Sequence, residues 1–213
     1  MRLVLASASP RRAALLHAAG YTFDVVRVEL DESVRDGEAA ALYVRRLAAD
    51  KSAGAAGLIA RGLAPRDSRE TDVVVLGADT AVVVDDEIFG KPREDGDAER
   101  MLRRLSGRAH VVMTGVSLRR GAYELGRVVA TRVQFAPLDA GDISWYLASG
   151  EGRDKAGAYA IQGLASRFVT SIDGSYSNVV GLPVATVHEL LTDIASGSAP
   201  GYSGDTSLPR KSL

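Results

Sequence analysis

The 213-residue sequence predicts an α/β fold built on a mixed sheet. Three observations carry that reading. Short apolar, strand-like runs alternate with segments whose apolar residues recur at helical spacing. One run, residues 73–89, is β-branched and nearly continuous, which suits a buried strand. Hairpin turns at Asp85-Asp86 and around Arg120-Gly121 make some neighbouring strands antiparallel, so the sheet is not purely parallel.

Taken in order, residues 3–6 form a short apolar strand. Ser9-Pro10 then supplies an N-cap and a proline at the first helical position of a helix over 11–19, which Gly20 ends. Residues 23–28 read as a second strand, followed by the acidic loop Asp31-Glu32-Ser33. A long helix over 38–56 gathers Tyr43, Val44, Leu47 and Ala48 on one face. Residues 62–71 are polar, contain Pro65 and read as an exposed loop. After the 73–89 hairpin, a helix over 95–105 carries Ala98, Met101, Leu102 and Leu105, and Gly107 closes it. Strands follow over 111–118 and 126–135. Asp139 and Asp142 form a capping box for a helix bearing Ile143, Tyr146 and Leu147. Residues 150–163 are loop-like, 168–172 are a strand, and Pro183 opens the last helix. The expected organisation is one domain over 1–195 and a Gly/Ser/Pro-rich disordered tail over 196–213.

Composition removes several chemistries. There is no cysteine, which excludes disulfides, thiolate nucleophiles and cysteine metal sites. His17, His110 and His188 are too far apart to suggest a histidine metal cluster. A net charge of −1 argues against a nucleic-acid partner, and no apolar stretch of membrane-spanning length exists. A cytoplasmic protein is expected.

The remaining candidates are carboxylates and cations. Ser7-Ala8-Ser9-Pro10-Arg11-Arg12 lies at a strand-to-helix junction, where free N–H groups and two arginines attract phosphate. The alternative is a capped helix with two exposed arginines. Asp79 interrupts an apolar strand, where an unpaired carboxylate would cost several kcal/mol, so it requires a cation or several donors. The alternative is a strand-end cap, which the valines on both sides weaken. Neighbouring Gly77 and Ala78 leave room for a close approach to the backbone. Only four of the 26 basic residues are lysines. Lys51 continues the apolar stripe of its helix, Lys91 lies between Gly90 and Pro92, and Lys155 sits in Arg153-Asp154-Lys155-Ala156-Gly157. These positions select a compact ammonium over a planar guanidinium, although each alone could be a solvated surface lysine. With Glu32, the set describes a site for a polyphosphate and a hard divalent cation, Mg²⁺ or Mn²⁺.

The same segments resemble the Maf family of nucleoside triphosphate pyrophosphatases. Leu5-Ala6-Ser7-Ala8-Ser9-Pro10-Arg11-Arg12 is similar to its opening signature. Leu76-Gly77-Ala78-Asp79-Thr80, Gly90-Lys91-Pro92-Arg93 and Leu105-Ser106-Gly107-Arg108-Ala109-His110 resemble its central blocks. Asp154-Lys155-Ala156-Gly157-Ala158-Tyr159, Ile161-Gln162-Gly163 and Gly174-Ser175-Tyr176 through Gly181-Leu182-Pro183 resemble its C-terminal ones. The resemblance covers about residues 3–195. The stretch between Lys51 and Asp79 is longer than the family pattern, and the tail has no counterpart in it.

The resemblance implies a two-lobed fold on an elongated mixed sheet, similar to the inosine-triphosphate pyrophosphatases, and a homodimer. It implies hydrolysis of a nucleoside triphosphate to monophosphate and pyrophosphate with a divalent metal, Asp79 being the proton acceptor. Arg11, Thr80 and Gln162 match the subfamily that prefers dTTP and UTP. On this reading Ser7, Arg11, Arg12, Lys51, Lys91 and Lys155 bind the substrate, Thr80 and Gln162 read the base, and Glu32 and Asp79 hold the metal. A nucleotidyltransferase and a non-catalytic, nucleotide-binding regulator of cell division are the alternatives.

Overall fold

The computed structural model describes residues 1–63 and 72–196. The expectations for a loop at 62–71 and a disordered tail fall almost wholly outside those residues. The architecture is a mixed seven-stranded sheet in the order β2-β1-β3-β5-β6-β7, with β4 paired to β3 alone, flanked by helices. The strands are β1 (Arg2–Ala6), β2 (Phe23–Val25), β3 (Val73–Val84), β4 (Glu87–Phe89), β5 (Ala109–Arg120), β6 (Tyr123–Phe135) and β7 (Val169–Asp173). The helices are α1 (Pro10–Ala18), α2 (Ala40–Ala60), α3 (Asp95–Leu105), α4 (Ala140–Ser149), α5 (Tyr176–Val180) and α6 (Val184–Ser196). β1 lies parallel to both β2 and β3, so α1 and α2 serve as the crossovers that parallel pairing requires. All other pairs are antiparallel.

Three departures from the sequence reading have physical causes. β2 stops at Val25 because its partner β1 ends one residue after the Leu5–Val25 pair. α2 runs on to Ala60, through Gly54 and Gly57, because Ala55 and Ile59 are buried against the sheet, outweighing the helix cost of glycine. The five-residue α5 was not foreseen. It is started by Ser175, whose side chain accepts from the Asn178 N–H. The capping box at Asp139 and Asp142 is present, and Asp85 and Asp86 take the positive φ values, 49° and 65°, of a tight hairpin turn.

The period of two along β3 sorts its residues between two faces. Val74, Leu76 and Ala78 join a core with β1, α1 and α6, while Val82 and Val84 join a second core with α3 and α4. These are the two lobes, and Thr80 falls between them. On the opposite face β3 meets α2 at very short range. A Cβ on Gly77 would sit 2.2 Å from the Ala48 carbonyl oxygen, and one on Gly115 of β5 would sit 2.2 Å from that of Val44. The partner admitted by Gly77 is therefore the helix that carries Lys51.

Pairing also leaves a gap. β1 reaches only to the Ala6–Gly77 pair, and β4 begins at the Val82–Phe89 pair. Among the described residues, positions 78–81 of β3 thus have β5 on one side and no strand on the other. A cleft opens at this unfilled edge, beyond the carboxyl end of β1, where α/β sheets commonly bind ligands.

Candidate active site

The cleft has a volume of about 280 Å³ and is lined by all ten residues singled out from the sequence, Glu32 included. Its centre is a triad of charges. Lys51 Nζ stands 2.6 Å from Asp79 Oδ1 and 2.6 Å from Glu32 Oε1. Lys51 and Asp79 are buried, so each supplies the partner that the other's burial demands. Glu32 is held at its backbone, where Tyr43 Oη donates to its carbonyl at 3.0 Å. Burial pushes the Glu32 carboxyl up, but the hydrogen bond from Lys51 and the charges of Lys51, Lys91 and Arg12 outweigh it, leaving the group below its usual value. Burial and the charges of Asp79 and Glu32 push the Tyr43 hydroxyl up to about 12, so it remains a donor at neutral pH.

Arg12 is placed differently from its expected role. Its guanidinium turns inward and donates to the Gly181 carbonyl at 2.8 Å, the Ala78 carbonyl at 2.8 Å, Ser7 Oγ at 3.1 Å and Thr80 Oγ1 at 3.0 Å. It thereby satisfies a carbonyl at the strand's unpaired edge and ties β3 to the turn after α5. Burial lowers its pKa, opposed by Asp79 and Glu32. Thr80 is similarly committed, with its hydroxyl also 3.0 Å from Thr114 Oγ1 and 3.3 Å from the Gly181 carbonyl. Ser9 occupies the N-cap position without capping through its side chain. Its N–H instead donates to Ser7 Oγ at 3.2 Å.

Arg11, Lys91 and Lys155 also line the cleft. Arg11 pairs with Asp154 at 3.5 Å across the cleft, and Lys155 contacts the same carboxylate. Lys91 is exposed at the rim. The Gln162 side chain is exposed and makes no hydrogen bond among the described residues. Sequence reasoning missed Asp154, Tyr43, Thr114, and the Gly181 carbonyl. Asp154 alone carried a local signal, its position beside Lys155.

The donor set suits a hard cation in part. Glu32 and Asp79 already converge on one positive charge, and each keeps a second carboxylate oxygen without a hydrogen bond among the described residues. No cluster of three or more His, Cys, Asp or Glu able to hold a metal occurs among the described residues. Glu32 and Asp79 are thus the two carboxylates at this centre that could hold a divalent cation.

Residues 2–194 match the family profile described as Maf-like protein. The chain belongs to the Maf family. Among its relatives in that family, a dTTP/UTP pyrophosphatase of Anaeromyxobacter sp. (strain Fw109-5) is 51% identical over 195 residues, covering 89% of this chain and 88% of the relative. A dTTP/UTP pyrophosphatase of Shewanella oneidensis is 48% identical over 198 residues, covering 91% and 98%. The Staphylococcus aureus Ham1 protein superposes on 93% of this Maf chain and 100% of its own, at a TM-score of 0.46 and 10% identity. Among the described residues, no helix is long and apolar enough to cross a membrane.

Proposed function

We propose that this Maf chain hydrolyses nucleoside triphosphates, dTTP and UTP foremost, to the monophosphate and pyrophosphate. The observation that carries the reading is the Glu32–Lys51–Asp79 centre, set within a cleft that Arg11, Lys91 and Lys155 also line. The relatives' shared name, dTTP/UTP pyrophosphatase, supports the substrate class.

In this reading Arg11, Lys91 and Lys155 bind the triphosphate, helped by the N-terminus of α1. Arg12 and Ser7 keep the β1–α1 corner in place beneath it. Asp79 orients a water and accepts its proton as the oxygen bonds to the α-phosphorus. The bond from that phosphorus to the β-phosphate oxygen breaks, and pyrophosphate leaves. Lys51 holds Asp79 and Glu32 in register, so catalysis rests on positioning and charge neutralisation. Glu32 and Asp79 would hold the divalent cation, which when bound neutralises charge on the phosphates. Gln162, with an amide that offers both donor and acceptor, reads the edge of the pyrimidine. The family resemblance supports a cytoplasmic homodimer.

Asp79→Asn tests the assignment. Pyrophosphate release from dTTP with Mg²⁺ and no added acceptor should fall by about 10³-fold or more, with the circular dichroism spectrum unchanged. Near-normal turnover in that variant sinks the role given to Asp79. Release by the unaltered protein only when an acceptor is added would point to a transferase.

A further inference from the structure

The loop that carries Gln162 has its backbone tied down on both sides by two side chains outside the charged centre. Tyr146 Oη accepts from the Ala160 N–H at 3.1 Å and donates to Glu151 Oε2 at 2.9 Å. Glu151 Oε1 accepts from the Leu164 N–H at 3.0 Å, and Oε2 from the Ala165 N–H at 3.4 Å. Three amides bracketing Gln162 therefore end on one hydroxyl and one carboxylate that are bonded to each other.

Both groups are themselves fixed. Tyr146 is buried on α4, with its ring edge-on to Phe168 at 5.6 Å. Burial and the bond to Glu151 raise its pKa, so the hydroxyl keeps the proton that it donates. Gly150 ends α4 in the left-handed region at φ 69°, which returns the chain toward the loop at Glu151. Gly163 supplies an independent sign of close fit. A Cβ there would lie 1.9 Å from Glu151 Oε1, so the carboxylate occupies the space that any larger residue would need.

We propose that Tyr146 and Glu151 are positioning residues that set base selectivity by clamping the backbone around Gln162. This rests on the reading of Gln162 as the side chain that meets the base. An exposed amide on an untethered loop would sample many orientations and discriminate little; a fixed backbone limits where its donor and acceptor can point. The clamp touches neither the phosphates nor Asp79, so its loss should act on base recognition and leave the phosphate end intact.

Tyr146→Phe, Glu151→Gln and Gln162→Ala are compared in the full chain, following pyrophosphate release from dTTP and from dGTP. Inhibition by inorganic tripolyphosphate, which has no base, reports the phosphate end. The clamp predicts that Tyr146→Phe and Glu151→Gln each raise KM for dTTP with little change in kcat. The dTTP-over-dGTP ratio of kcat/KM should fall about tenfold. Inhibition by tripolyphosphate should remain within about twofold. A lower ratio in Gln162→Ala, with no change in either clamp variant, overturns the clamp. An unchanged ratio in Gln162→Ala overturns the base-reading role of Gln162, and with it the clamp's part in selectivity. Equal losses on dTTP, dGTP and tripolyphosphate would mark Tyr146 and Glu151 as merely structural and overturn the proposal. Should Tyr146→Phe fail to fold, Glu151→Gln decides alone.

Discussion

The two walls of the cleft are built on opposite principles. On the α2 wall, Asp79, Lys51 and Glu32 hold one another by charge, and the helix lies so close to the sheet that glycine is required beneath it. On the other wall, residues 158–165 are held mostly by hydrogen bonds from backbone amides and buried rings, with His110, Tyr146 and Tyr159 in neutral form. In the proposed reading, the first arrangement takes the phosphate and the reacting water, which need fixed charge. The second takes the base, which needs fixed donors and acceptors without much charge. The walls should therefore fail differently under substitution and under acid.

The largest effect is expected from Lys51→Met. It leaves Asp79 buried without its cation, a loss typically costing about 3–5 kcal/mol. Urea unfolding should show a drop of that order, and pyrophosphate release should fall by about 10²-fold or more on every substrate. A selective loss on dTTP alone would break the assignment of this wall to the phosphate end.

Two glycine substitutions come next, because they strain the walls by similar geometric amounts against different neighbours. A Cβ on Gly77 meets the Ala48 carbonyl at 2.2 Å and the Ser52 nitrogen at 2.7 Å, both backbone atoms of a long helix. Gly77→Ala should cost about 2–3 kcal/mol and lower activity on all substrates, since α2 carries Lys51. On the other wall, a Cβ on Gly163 meets only the end of the Glu151 side chain, which can swing away. Gly163 has a negative φ, −154°, so it is not in the left-handed region. Gly163→Ala should cost about 1 kcal/mol or less while lowering the dTTP-over-dGTP ratio. Thermal unfolding and the two-substrate assay check both, and a greater stability loss at Gly163 than at Gly77 would reverse the comparison.

The same contrast explains what the sequence disclosed. Asp79 in a valine run and Lys51 in an apolar stripe violate their surroundings, and a residue type that burial penalises is visible without coordinates. The antiparallel neighbours were partly legible through hairpin turns, and two helix starts through their caps, because these signals are local. What lay hidden depends on direction and long-range contact. Arg11 and Arg12 are adjacent and chemically identical and both line the cleft, yet one pairs with Asp154 and the other is spent on Gly181, 169 residues away. Glu151 lies in a stretch without periodicity, so nothing local marks its carboxylate as the acceptor for Leu164 and Ala165. The gap at residues 78–81 follows from where β1 ends and β4 begins, and neither end is coded by the residues that line the gap.

Acid should separate the walls most cleanly. His110 is 2% exposed, its Nε2 lies 2.8 Å from Tyr159 Oη, and its ring stands edge-on to Phe135. Burial pushes its pKa down from 6.5 to about 4. The unfolded imidazole therefore takes up a proton near pH 6.5, whereas the folded one stays neutral until about pH 4. The stability associated with the neutral ring is fully present above pH 6.5 and drains away as pH falls toward 4. Between pH 7 and pH 5 this one group should cost about 2 kcal/mol. On the charged wall, Glu32 responds later. Glu32 is held below its ordinary value of 4.5, so its contribution is intact above that pH and is lost only as the pH drops further. His110→Gln cannot titrate, and its urea midpoint should change less than the unaltered protein's between pH 7 and pH 5. Identical pH dependence in the two proteins would mean that His110 is not the group that makes the wall carrying Gln162 acid-sensitive.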